Sequence, residues 1–211
     1  MQVKKYFREA CCTSVDAVRA AARTGARRIE LCEQLGLGGV TPSEALLREV
    51  LAGSALPVNV LVRPRGGDFV YGEEEVQAML ESIRLCRTLG ANGVVVGALT
   101  PDGRVDLPVM RRLIAAARPL SVTFHRAFDE TADPSAALEQ IIALGCDRLL
   151  TSGHAPDAFT GREMIGRLVR QAAGRIVVMA GCGVRPANLA AIARDSGAPE
   201  YHSSFISEEW E

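Results

Sequence analysis

Cys86–Val96, CRTLGANGVVV, carries the end of a helix-forming stretch into Gly90 and then into three consecutive valines. Glycine takes the left-handed conformation that closes a helix at little steric cost, and the β-branched run that follows suits a buried strand. The formula recurs in Ala22–Leu31 (ARTGARRIEL), Ile142–Leu150 (IALGCDRLL) and Ala193–His202 (ARDSGAPEYH). Breakers at Gly25, Gly53, Gly90, Pro119, Gly145, Gly174 and Gly197 extend it along the chain. Their period is roughly 30 residues, the length of one βα unit.

Worked outward, this pattern predicts eight strands, near Tyr6–Cys12, Arg27–Cys32, Pro57–Arg63, Gly93–Gly97, Leu120–Arg126, Asp147–Thr151, Arg175–Ala180 and Pro199–Ser204. Seven helices are expected between them, at Val15–Thr24, Ser43–Ala52, Glu73–Leu89, Leu107–Ala117, Pro134–Leu144, Arg162–Ala173 and Ala187–Ser196. Thr41-Pro42-Ser43-Glu44 and Asp133-Pro134 combine capping side chains with an early proline, a helix-start signature. Eight parallel strands joined by right-handed crossovers close into an α/β fold, a (β/α)8 TIM-type barrel, here a single domain over residues 1–211. No GxGxxG follows the first strand and no GxxxxGK[ST] occurs, which argues against a doubly wound open sheet. Only Phe205–Glu211 follow the last strand. That is too short for a full closing helix, so the flank beside the first and eighth strands is expected to be shielded in a homo-oligomer.

The 211 residues are 48% apolar and 23% charged, with a formal net charge of −1. Such a chain can bury a sizeable core, and it contains no apolar run near the roughly 20 residues of a membrane span. Without a basic block, neither nucleic acid nor an anionic membrane is expected as partner, leaving small molecules and protein surfaces. The start, MQVKKYFREACC, lacks a secretory apolar region, so a cytoplasmic location and reduced thiols are expected. The six cysteines, Cys11, Cys12, Cys32, Cys86, Cys146 and Cys182, form no CxxC pair, so thiol chemistry must be assembled by the fold.

In a barrel of this kind the site lies at the C-terminal ends of the strands. There the sequence places Glu9, Cys11 and Cys12; Glu30 and Cys32; Arg63 and Arg65; His125, Arg126 and Asp129; Thr151, Ser152 and His154; Gly181 to Gly183; and His202, Ser203 and Ser204. Residues two apart share a strand face, which pairs Glu9 with Cys11, Glu30 with Cys32, Arg63 with Arg65, and His202 with Ser204. Two chemistries follow. Glu30, His125 and Glu9 are candidates for acid–base catalysis on a small phosphorylated or carboxylated substrate, with Arg63, Arg65, Asp68, Arg126, Asp129, Ser152, Gly181, Gly183, His202 and Ser204 binding it. The loop Ala180–Val184, leading into a helix, offers backbone amides to an anion. Alternatively, Cys11 and Cys32, on adjacent strands, bring soft sulfurs together in a set that suits Cu(I), with Cys12 facing away. Cys86 lies on a helix and Cys146 at the opposite end of the barrel. Glu30 and Arg63 by themselves would equally make a structural ion pair.

Taken together, Glu9–Ser14 (EACCTS), Arg28–Glu33 (RIELCE), Gly38–Ser43 (GGVTPS), Val62–Tyr71 (VRPRGGDFVY), Val122–Asp129 (VTFHRAFD), Leu150–His154 (LTSGH), Met179–Leu189 (MAGCGVRPANL) and Tyr201–Ser204 (YHSS) resemble the CutC copper-homeostasis family over nearly the whole chain. The resemblance implies a cytosolic, often oligomeric TIM-type barrel that handles copper, with thiols as Cu(I) ligands. Two features depart from the family pattern. Cys182 stands where a small residue is usual, and the customary C-terminal extension is missing.

Overall fold

The computed structural model describes residues 6–206. Eight parallel strands, β1 (Phe7–Cys12), β2 (Arg28–Leu31), β3 (Val58–Leu61), β4 (Gly93–Val96), β5 (Ser121–Phe124), β6 (Arg148–Thr151), β7 (Val177–Ala180) and β8 (Glu200–Ser203), pair in sequence order, and β8 returns to β1. Between them run α1 (Val15–Arg23), α2 (Glu44–Gly53), α3 (Glu73–Thr88), α4 (Leu107–Ala117), α5 (Pro134–Ala143), α6 (Arg162–Ala172) and α7 (Pro186–Ser196). The expected closed barrel is therefore the fold, with seven α-helices among the described residues. The closing-helix position falls largely on 207–211, outside those residues.

Local chemistry places the elements. Asp133 caps α5 by accepting from the amides of Ser135 and Ala136 ahead of Pro134, and Asp106 caps α4 in the same way. Gly90 and Gly145, at φ +80° and +79°, take the left-handed turn that leads into β4 and β6. Ser43 departs from expectation, because it caps nothing and instead donates to Glu33. Strands β3 and β5 each end two residues earlier than the sequence suggests. A short 3-10 turn (Arg126–Glu130) follows His125, and another (Leu35–Leu37) lies between β2 and α2.

Period-two alternation divides the barrel into two interiors. Ala10, Cys12, Ile29, Leu31, Val60, Val94, Val96, Val122, Phe124 and Leu149 face the helices and join one large core with residues such as Val76, Met79 and Ile83 of α3. Inside the strands, Cys11, Cys32, Leu61 and Val95 form a small separate apolar cluster. Register then stacks the polar residues: Glu9 lies level with Arg28 and His202, and Cys11 lies level with Glu30. Gly93 makes room within the strands, because a Cβ there would stand 2.4 Å from the Asn59 side-chain oxygen.

Candidate functional site

A cavity of about 610 Å³ opens at the C-terminal rim, walled by Cys11, Glu30, Cys32, Arg63, His125, Arg126, Asp129, Gly183, His202 and Ser204. These residues come from six strands or the loops after them, as barrel closure requires. Also on the wall are Leu35, Leu37, Leu61, Phe69, Leu150, His154 and Cys182.

A ladder of charge supports the floor. Arg28, inside the barrel, pairs with both Glu9 and Glu200, and Arg148 reaches Glu200. Glu9 is completely buried, and its second oxygen accepts from His202 Nδ1 at 2.8 Å. Burial alone would push the Glu9 carboxyl upward, but the His202 hydrogen bond and the Arg28 charge together hold it at about 2. The reverse balance operates at His202. Burial lowers it, Glu30 and Glu9 overcome that, and the imidazole stands near 9. Glu9 is thus a positioning group beneath the cavity, ionised and fully occupied, and does not reach the wall as an acid–base group would.

Above it, Glu30 is only 5% exposed, with His202 Nε2 3.9 Å from one oxygen while the other has no partner. Burial raises this carboxyl first and Glu9 adds to the rise, against the opposing pull of His202, to about 7. Cys11 Sγ lies 3.5 Å from Cys32 Sγ. The Cys32 contact, burial and Glu30 together lift the Cys11 thiol well above its ordinary range. Cys11, Glu30 and His202 offer ligand atoms all within 4.8 Å of one another. Cys12 packs outside the barrel, where burial raises it to about 12.

His125, one of the acid–base candidates, is held in a single tautomer. Its Nδ1 accepts from the Ala127 amide at 3.1 Å, so the ring hydrogen sits on Nε2, which is buried without a partner. Burial, then the charge of Arg63, lowers the imidazole to about 3. It is a neutral donor. Phe69 flanks the ring at 5.0 Å, and Gly97 leaves it space that any Cβ would invade at 2.6 Å.

Several expected anion ligands are placed otherwise. Arg63 spends NH1 on the carbonyls of Leu37 and Gly39 and NH2 on that of Gly67. These bonds use three of its five N–H donors, leaving Nε–H and one NH2 hydrogen, and the buried Tyr71 hydroxyl faces the same guanidinium. Arg65 and Asp68 lie off the wall, bonded to each other, with Arg65 also held by Glu75. Chain direction changes after Pro64, and strand parity no longer applies. Ser152 is taken up by Asp129, whose carboxylate also accepts from Thr151, the His154 amide and Arg126. The amide of Gly181 bonds to Thr151, and the absent side chain makes room for Leu150. Gly181 is therefore part of the strand ladder rather than an anion cradle.

Sequence reasoning missed Phe69 and the exposed pair Leu35 and Leu37 on the wall. The signal was the run LGLGG at 35–39, apolar residues in a glycine-rich loop. Its carbonyls receive Arg63, and at Gly38 a Cβ would lie 3.0 Å from that guanidinium. His154 and Cys182 stand at the rim with φ of +55° and +74°. Such backbone carries strain that the fold must offset. No lysine follows Lys5 in the sequence, so no barrel strand supplies an amine for Schiff-base chemistry.

Fold and site define a (β/α)8 barrel with two neighbouring thiols and a cluster of Glu, Arg and His side chains gathered at its C-terminal mouth. The chain belongs to the CutC family, whose sequence model matches residues 6–207. A CutC protein of Parabacteroides distasonis is 52% identical over 197 residues, covering 93% of this chain and 81% of that one. The human copper homeostasis protein cutC homolog is 49% identical over 199 residues, 94% of this chain and 73% of the relative. The crystal structure of a CutC protein from Streptococcus agalactiae superposes with a TM-score of 0.91 at 32% identity, covering 96% of this chain and all of that one. Among the described residues no helix is long and apolar enough to cross a membrane.

Proposed function

We propose that this protein binds Cu(I) through Cys11 and Cys32 at the barrel mouth and handles copper in the cytosol. One observation carries the reading: two buried sulfurs from adjacent strands stand 3.5 Å apart on the wall of an open cavity. Sulfur donors select Cu(I) over harder divalent ions, and His202 lies close enough to Cys11 to add a nitrogen. Both thiols are free, as a reducing compartment would keep them. Ligation needs thiolates, so copper entry releases protons. The copper-homeostasis name of the human relative supports the same reading.

The test is an anaerobic titration against a chromogenic Cu(I) chelator, comparing wild type with the Cys11→Ala, Cys32→Ala double variant. Wild type is expected to take up a single Cu(I) and to hold it far more tightly than Zn(II), and the double variant to lose it. Unchanged Cu(I) affinity in the double variant would overturn the assignment.

A further inference from the structure

Copper and two sulfurs leave most of the mouth unused. Three residues of this wall each carry a buried polar atom with no hydrogen-bond partner: Arg63 Nε, His125 Nε2 and Glu30 Oε2. These residues are 5 or 6% exposed, and stranding such groups without a ligand or water is costly. The first two are donors and neither can turn away. His125 is held by the Ala127 amide and by Phe69, as described above. Arg63 is pinned by three loop carbonyls and lies 4.6 Å over the Phe69 ring. No carboxylate stands within ion-pair distance of this guanidinium among the described residues, and Asp68 acts on it only from further off, so the wall carries a fixed positive charge without a direct counter-ion. Glu30 contributes an acceptor to the same cavity.

We propose that the mouth binds a small hydroxycarboxylate independently of copper. Its carboxylate accepts from His125 Nε2–H and Arg63 Nε–H, and its hydroxyl donates to Glu30 Oε2. A monoanion neutralises the one buried guanidinium on this wall. A phosphate dianion suits the site less well, because the Gly181 amide is already committed to Thr151 and the Glu30 carboxyl faces the same space. The cavity, about 610 Å³ with Leu35, Leu37, Leu61, Phe69 and Leu150 on its wall, has the size of a small-molecule site and exceeds what one ion requires. This assignment does not rest on the copper reading.

The experiment titrates metal-free, reduced protein with D-glycerate and L-lactate, and in parallel with acetate, glycerol and inorganic phosphate. Calorimetry follows affinity, and ¹⁵N-resolved spectra of the histidine side chains follow His125 in the wild-type protein. Saturable binding of glycerate or lactate, tighter than acetate, with movement of the His125 Nε2–H resonance, is the expected result. His125→Asn, whose amide can still cap the following turn, should weaken glycerate about tenfold or more while keeping Cu(I) binding. Cys11→Ala, Cys32→Ala should do the reverse, so the two assignments fail separately. The proposal is overturned by phosphate binding more tightly than glycerate, by equal affinity in His125→Asn, or by no saturable hydroxycarboxylate binding at all.

Discussion

Replacing Gly97 by alanine tests how the mouth is built. Gly97 does not need a left-handed backbone, so alanine is admissible on conformational grounds. Its Cβ, however, would stand 2.6 Å from both Cε1 and Nδ1 of His125 and 3.2 Å from Ala127 Cβ. The ring cannot yield cheaply, because Phe69 lies beside it and the Ala127 amide holds Nδ1. Overpacking of this kind costs about 1–3 kcal/mol, and losing the Ala127 hydrogen bond adds about 1 kcal/mol. A destabilisation of about 2–4 kcal/mol is therefore expected in urea unfolding, read from the midpoint at constant slope. Gly53→Ala is the control, since nothing lies within 4 Å of its Cβ, and it should be neutral or stabilising by up to about 1 kcal/mol. In a His125→Ala background the main obstacle is gone, and Gly97→Ala should then cost less than about 1 kcal/mol. Equal cost in both backgrounds would refute the claim that Gly97 is there to seat the imidazole.

Further outcomes follow from the same geometry. Because His125 falls from 6.5 to about 3 on folding, the unfolded chain takes up its proton first. Its share of stability is full above pH 6.5 and declines as pH falls towards 3, by up to about 1.4 kcal/mol per pH unit. Acid unfolding of His125→Asn should be shallower than wild type across that window, and parallel curves would count against a buried neutral ring. Arg65→Ala should cost at most about 1 kcal/mol, as a half-exposed pair does, and leave Cu(I) binding intact; loss of copper would return Arg65 to the site. Asp129→Ala strips the acceptor from the Ser152 and His154 amides, and a loss of about 2–5 kcal/mol is expected by thermal or urea unfolding.

What the sequence determined by itself was whatever depends on local period. Glycine-closed helices alternating with short apolar runs yielded eight strands, seven helices and the closed barrel. Two-residue alternation placed Cys11, Glu30, Cys32 and Arg63 on the inner face, because that alternation is a property of extended backbone. It lapsed where the backbone ceased to be extended. Arg65 lies past Pro64 and turns to Glu75, and Gly181 is committed to the ladder. Tertiary structure alone decided the state of each group. The hydrogen of His125 is on Nε2 because the Ala127 amide curls back to Nδ1, and Arg63 has three of its five donors committed because carbonyls 24 and 26 residues earlier in the chain, and that of Gly67, claim them. Protonation and hydrogen-bond capacity are set by burial and by neighbours distant in sequence, and no pattern read along the chain contains either.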